Sequence, residues 1–344
     1  MKKLNLLQKT LYVLNVLCAF LLLLSLIVPY IPPIKFPLLS VLSLVVAPLI
    51  LIQMLFLLYW LLRLKRQVLL PLLILLICFV QFNSFYRVPF FNSTDQPSEH
   101  ALKVMSYNVR SFNINRWIDN DSVVKGVDRL IRQANPDVIA FQEYHTQMPP
   151  LLEQYKHRYV QTKGKSKSFG QAIYSKYPIV AKGSLDFESS GNNAIYVDIV
   201  VRTDTLRVYN LHMESLSLVQ SDIDFNQEAS KRLVKRISNS FVIQQQQMEQ
   251  VVAHKEKSPY PSVVTADLNN TAFSYTYRKI NKNMNDTFAE AGTGLGTTFK
   301  LKHIPLRIDF ILADTRFETY DYTTYDAPYS DHFPIMAVVA LEQD

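Results

Sequence analysis

Glycine and acidic side chains are missing from the first quarter of this 344-residue chain. Residues 1–90 contain none of the eight glycines and no Asp or Glu. A stretch without carboxylates or glycine turns is unlike the surface of a globular domain. Cysteine is scarce as well. Cys18 and Cys78 both lie in apolar runs and cannot form a disulfide framework. The overall balance is 49% hydrophobic and 19% charged, which excludes a disordered or fibrous chain.

The first 90 residues do carry eight basic side chains: Lys2, Lys3, Lys9, Lys35, Arg63, Lys65, Arg66 and Arg87. The remainder holds 28 basic against 29 acidic residues, so the formal charge of +7 belongs to the N-terminal segment. A basic chain ordinarily suggests a nucleic-acid partner. Here the excess lies apart from the part able to form a domain.

Three runs lack charge altogether: Leu11 to Pro33, Phe36 to Leu62 and Val68 to Tyr86, of 23, 27 and 19 residues. A helix of roughly 20 residues crosses the ~30 Å hydrocarbon core of a bilayer. The runs therefore predict three transmembrane helices at about 11–30, 38–62 and 68–86, an anchor over 1–87 and a polar linker over 88–101. A cleaved signal peptide fits less well, because no small-x-small site follows the first run and two more runs come after it. Six basic residues on one side of these spans against two on the other predict a cytoplasmic N-terminus and an extracytoplasmic C-terminal domain.

Residues 102–344 alternate short β-branched runs with helical patterns at Ser122–Gln133 and Asn226–Lys255. The strand runs are Leu102–Met105, Asp137–Phe141, Ala172–Tyr174, Ala194–Val201, Leu206–Leu211, Ser262–Thr265, Arg307–Leu312 and Ile335–Leu341. Several strands follow one another without a helix between them. That predicts an α/β fold with mixed sheets packed face to face and helices outside.

Polar residues stand at the ends of nearly every strand run: Asn108, Gln142-Glu143, His212, Asp267-Leu268-Asn269, Asp309 and Ser330-Asp331-His332. Any one of them reads equally as a cap or turn residue. Asp309 is different, because a carboxylate inside an apolar strand needs a partner, and His332 is a candidate. Aromatic Phe273, Tyr275 and Tyr277 fit either a core or a pocket wall. Lys163, Lys165 and Lys167, and the group Lys231, Arg232, Lys235 and Arg236, fit either a solvated surface or a local anion track.

In their order, these strand ends resemble the endonuclease/exonuclease/phosphatase superfamily, of deoxyribonuclease I-like fold. The matching residues are Asn108, Gln142-Glu143, Asn210-Leu211-His212, Asp267-Leu268-Asn269, Arg307-Ile308-Asp309 and Ser330-Asp331-His332, with a Ser-Lys-x-Pro turn at Ser175 to Pro178. The resemblance implies a four-layer α/β sandwich and a phosphoester hydrolase dependent on Mg²⁺ or Mn²⁺. By it, Asn108, Glu143 and Asp331 supply hard oxygen ligands to the metal. Asp267 orients or deprotonates water, and Asn269 and His212 donate to phosphoryl oxygens. His332 with Asp309 acts as base or charge stabiliser. The domain has no cysteine, which excludes a thiolate zinc site.

The partners expected are the bilayer and a phosphoester: a lipid head group, a small phosphoester or nucleic acid. No obligate protein partner is inferred. The alternatives are a membrane-anchored nuclease acting on external nucleic acid and a catalytically inactive scaffold of the same fold.

Overall fold

The structure is a computed structural model that describes residues 4–79, 86–87, 101–119, 122–148, 152–164, 168–188, 190–216, 227–301 and 304–342. The expected linker over 88–100, the end of the third apolar run over 80–85, and Lys165 and Lys167 lie outside the described residues. The chain divides into two compact units. The first comprises Met1–Phe85, Val219–Gln245 and Thr271–Arg278, and the second comprises Tyr86–Leu218, Gln246–Asn270 and Lys279–Asp344.

In the first unit, helix α1 (Leu6–Ser25) starts at Asn5, whose side chain accepts from Gln8 N while Gln8 Oε1 accepts from Asn5 N. Short α2 (Pro37–Ser40), α3 (Val46–Leu62) and α4 (Leu69–Cys78) follow. Only one described helical segment, Leu6–Tyr30, is long and apolar enough to cross a membrane unbroken, where three were expected.

The second apolar run breaks at Val45 into Pro37–Leu44 and Val46–Leu62, bent by 59°. Pro48 explains the break: it has no N–H to offer the carbonyl of Leu44 and is tolerated only in the first turn of α3. The third run gives the shorter apolar segment Arg66–Cys78.

Polar side chains join α1 to α3. Asn15 Nδ2 donates to Gln53 Oε1 at 2.8 Å, and Trp60 Nε1 donates to Asn15 Oδ1 at 3.3 Å. All three residues are fully buried. Phe273 joins Ala19, Leu22, Ile50 and Ile74 in one apolar cluster. Thr271 Oγ1 donates to Ser43 O at 2.8 Å, and the Arg278 guanidinium lies 4.1 Å from the centre of the Tyr30 ring. The segment carrying Phe273, Tyr275 and Tyr277 is thus packing for the apolar helices.

The second unit contains two six-stranded mixed sheets. Its strands are β1 (Leu102–Asn108), β2 (Val138–His145), β3 (His157–Lys163), β4 (Phe169–Ser175), β5 (Ile179–Asp186), β6 (Asn193–Val201) and β7 (Asp204–His212). They continue as β8 (Ser262–Asp267), β9 (Met284–Asp286), β10 (Phe299–Leu301), β11 (Ile304–Leu306), β12 (Asp309–Asp314), β13 (Phe317–Thr324) and β14 (Ile335–Leu341). One sheet runs β13-β14-β1-β2-β4-β3 and the other β5-β6-β7-β8-β12-β9, with β10-β11 as a separate hairpin.

The sheets face each other across an apolar layer that includes Val104, Ala140 and Ile173 from one and Ile195, Val208 and Val263 from the other. On the outer side of the first sheet lies α5 (Val123–Ala134), which buries Val123, Val127 and Ile131 at helical spacing. The long α6 (Gln227–Lys255) belongs to the first unit through Gln245; its last part turns His254 onto Tyr209 of the second sheet. Two short helices complete the chain, α7 (Tyr275–Ile280) and α8 (Thr287–Ala291). Two mixed sheets with flanking helices is the α/β arrangement that the strand pattern predicts.

Each sheet has a single parallel pair, β1-β2 and β7-β8. Parallel neighbours end at the same edge, so Asn108 stands beside Gln142 and His212 beside Asp267. Antiparallel β12 begins at that edge too, with Asp309 opposite Asp267.

Candidate active site

The inward faces of the strands change character toward this edge. Gln142 Nε2 donates to Ser106 Oγ (3.0 Å) and Asn210 Oδ1 (2.7 Å), and Asn210 Nδ2 donates to Phe141 O (2.8 Å). All are buried and link β1, β2 and β7 by hydrogen bonds where an apolar contact would leave the next layer free to shift.

Above that layer the expected residues meet. Asn108 Nδ2 donates to Asp267 Oδ2 at 2.8 Å and to Glu143 Oε1 at 3.2 Å. His212 Nε2 is 3.8 Å from both Glu143 Oε1 and Asp267 Oδ2. His332 Nε2 is 3.8 Å from Asp267 Oδ2, and its Nδ1 is 2.9 Å from Asp309 Oδ2. Asn269 N donates to Asp267 Oδ1 at 2.9 Å, while its side-chain amide donates to Met213 O at 3.0 Å. Asp331 reaches the cluster through Ser330, whose Oγ lies 3.3 Å from Asp331 Oδ1 and donates to Asn108 O at 2.8 Å. All eight sequence-derived candidates therefore lie in one connected group.

Backbone geometry directs two of them. Glu143 has φ 49° at the point where the β2–β4 register shifts, so a bulge turns its carboxylate toward Asn108. Asn269 has φ 47° in the turn after β8. Left-handed backbone without glycine is strained and tends to collect at functional sites.

Asp267 and Asp309 are almost wholly buried, and His332 nearly so. Burial pushes the Asp309 carboxyl above the usual carboxylate range, although His332 pulls against it. For His332 burial works in the opposite sense and disfavours the imidazolium. The charges of Asp309 and Asp267 outweigh that, so the ring holds its proton more tightly than an ordinary histidine.

Sequence reading missed the group that grips this pair. Thr298 Oγ1 accepts from the backbone N–H of Ile308 (3.0 Å) and Asp309 (3.1 Å), and Thr298 O accepts from Phe333 N (2.7 Å). The Phe299 ring lies 4.9 Å from the His332 ring. One Thr of several in a glycine-rich segment gives no signal for this role. Arg307, read only as part of a motif, is buried and donates to both oxygens of Asp286 at 3.1 and 2.8 Å.

The oxygen-rich donor set fits a hard divalent cation. Glu143 and Asp331 offer carboxylate oxygens, while Asn108 turns its Nδ2 to Glu143 and Asp267 and its Oδ1 to the Arg110 N–H; Asp267, Asp309 and His332 bring ligand atoms within 4.8 Å of one another. In the second group Asp309 is already bonded to His332 Nδ1. That favours a hydrogen-bonded dyad there and leaves the metal role to the first group.

The profile of the Endonuclease/Exonuclease/phosphatase family matches residues 105–332, the span that contains every one of these side chains. The chain belongs to that family. Its members are hydrolases that act on phosphoester bonds, typically with a divalent metal.

A second profile, described only as a domain of unknown function, matches residues 8–85. A search of curated protein sequences finds no match. Among solved structures, the endonuclease/exonuclease/phosphatase from Bacteroides vulgatus is similar at 22% identity and TM-score 0.54, covering 70% of this chain and 99% of that one. The family protein from Bacteroides thetaiotaomicron is 20% identical, with TM-score 0.52 and coverage of 72% and 100%. D. rerio TDP2, complexed with a single strand DNA product, is 13% identical, with TM-score 0.53 and coverage of 70% and 99%. At such identities the likeness is one of fold.

Proposed function

We propose that this protein is a divalent-cation-dependent phosphoester hydrolase, held at a membrane by its N-terminal apolar helices and acting on the extracytoplasmic side. The observation that carries the reading is the convergence of Asn108, Glu143 and, from the loop before β14, His332 on one sheet with His212, Asp267 and Asp309 on the other. Glu143 and Asp331, with Asn108 beside Glu143, would hold a cation (Mg²⁺ or Mn²⁺), which would supply polarisation of a phosphoryl oxygen and offset charge on the leaving oxygen.

Asp267, fixed by Asn108 and by the Asn269 backbone, orients the attacking water and takes its proton. Asp309 engages His332 Nδ1, which leaves Nε2, 3.8 Å from Asp267 Oδ2, as a donor to developing negative charge. His212 and Asn269 donate to the non-bridging oxygens. The filled constellation argues against an inactive scaffold.

A tethered catalyst meets lipid head groups at high effective concentration. A nuclease needs a cationic track along the backbone. Lys163 is unsuited to one, because its Nζ donates to the carbonyls of Phe187, Ser190 and Asn192. Residues 91–344 carry 28 basic against 29 acidic side chains, which gives a polyanion little general attraction, so phospholipid or a small phosphoester is the preferred substrate class over nucleic acid.

In detergent micelles with Mg²⁺, the full chain should hydrolyse bis-p-nitrophenyl phosphate and lose that turnover in EDTA. Asp267→Asn and His332→Gln should each lower kcat by about 10²-fold or more, as the loss of one group that works on the transition state does. Phospholipid vesicles should compete more strongly than single-stranded DNA. Equal and negligible turnover by wild type and both variants on every phosphoester class would refute the reading. A periplasm-dependent reporter fused after Asp344 should be active if the domain lies outside the cytoplasm.

A further inference from the structure

The chain leaves β1 through an unusual turn. Arg110, Ser111, Phe112 and Asn113 have φ of 41°, 54°, 50° and 64°. Left-handed backbone costs an L-residue roughly 1–2 kcal/mol, so four such residues in succession persist only where their surroundings fix them. Here they do. Arg110 N donates to Asn108 Oδ1 at 3.0 Å. Phe112 packs edge-on against Phe141 and Tyr144, with ring centres at 5.9 and 5.4 Å. Asn113 exchanges hydrogen bonds of 2.7 and 2.9 Å with the backbone of Ile118.

This turn brings Arg110 to the cleft. Its Nη1 is 2.8 Å from Asp331 Oδ2, and its guanidinium carbon lies 4.5 Å from the centre of the Trp117 ring. The Arg110 side chain is 36% exposed. A guanidinium has five N–H donors in a planar fork that matches the oxygens of a phosphate. The contact with Asp331 leaves most of them for a ligand.

The cleft has need of such a group. Glu143, Asp267, Asp309 and Asp331 line it with carboxylates, while a phosphoester arrives as an anion. Two other cations of this unit are committed elsewhere, Arg307 to Asp286 and Lys163 to backbone carbonyls.

We infer that Arg110 is a substrate-binding residue of this cleft: its guanidinium donates to a non-bridging oxygen of the phosphoryl group, while Asp331 and Trp117 fix its plane. The inference rests on the phosphoester-hydrolase reading and adds to it the residue that recognises the anion. The chain has only two tryptophans, Trp60 and Trp117, and Trp60 lies in α3. Emission from Trp117 therefore reports on its guanidinium neighbour above a constant background.

The experiment uses the full chain in micelles with Mg²⁺, bis-p-nitrophenyl phosphate as substrate and inorganic phosphate as competitor. Arg110→Met should raise KM and the phosphate inhibition constant together by about tenfold, the worth of one charge-assisted hydrogen bond. Arg110→Lys, which keeps the charge but loses the fork, should recover part of both. Phosphate should change the Trp117 emission of wild type and leave that of Arg110→Met unmoved.

A loss confined to kcat or thermal stability, with both constants unchanged, would overturn the inference and reduce Arg110 to a structural partner of Asp331. If Arg110→Met does not fold, wild-type constants in Arg110→Lys would overturn it equally. A wild type without turnover would refute the hydrolase reading instead. The phosphate titration of Trp117 emission would still decide the role of Arg110.

Discussion

Replacing Arg307 by methionine isolates the contribution of a buried ion pair whose guanidinium stands two residues before Asp309. The guanidinium donates to both oxygens of Asp286 and is stacked between Phe288 and Phe310, 4.6 Å from each ring centre. The two side chains are 6% and 3% exposed. Methionine keeps much of the stem volume, so the main loss is the charge opposite Asp286. Stripping one partner from a buried pair costs about 3–5 kcal/mol.

Asp286 also caps α8 through Phe288 N at 3.1 Å, a bond that survives the change and places the expected cost near the lower end. Hydrogen exchange of the β12 and β8 amides in the full chain reads this directly. A loss of about 3 kcal/mol appears as roughly a hundredfold loss of protection. The double variant Arg307→Met with Asp286→Asn keeps a capping side chain and removes the stranded charge, so it should regain at least half of the loss. Equal protection in the single and double variants would refute the electrostatic argument and assign the damage to packing.

Other consequences can be measured independently. Asn15→Leu removes the side-chain bonds to Gln53 and Trp60, each such bond between apolar helices contributing about 0.6–2 kcal/mol. The thermal midpoint of the helical far-ultraviolet signal should fall. Lys163→Met frees three carbonyls between Phe187 and Asn192 and should hasten exchange of the neighbouring amides, with a cost of about 1–3 kcal/mol. The pKa of His254 is lowered by burial and by Arg207, against the pull of Asp198. The unfolded chain then takes up that proton first, so stability is lost as pH falls through the ordinary histidine range near 6.5. Urea midpoints at pH 7 and pH 5 should differ less in His254→Phe than in wild type.

How much of this was legible in the sequence follows from the range of each interaction. The central strands were, because runs such as Ser262–Asp267 are apolar and buried on both faces. The edge strands were not. His157–Lys163 buries none of its residues fully and Phe317–Thr324 carries Glu318 and Asp321, so neither stands out as an apolar run. The site residues were legible because a polar side chain at the end of an apolar strand is conspicuous, and Asp309 all the more so.

What escaped was conformational or distant. No composition announces that Glu143 adopts φ 49°, or that Arg307 finds Asp286 across 21 positions. Counting apolar residues also hid the break ahead of Pro48, where the missing N–H matters more than hydropathy. Phe273, Tyr275 and Tyr277 were visible as an aromatic run, but the packing of Phe273 with α1, α3 and α4 depends on residues far away in sequence.

The 2.8 Å bond from Asn108 to Asp267 crosses from one sheet to the other. Half of the reacting groups thus ride on each of two slabs whose alignment is kept by an oily seam and a few amides. Sliding one slab by a fraction of a residue would disassemble the chemistry while every strand remained paired. In such a molecule turnover is the more sensitive gauge of interior fit, and it should decline well before any melting curve moves.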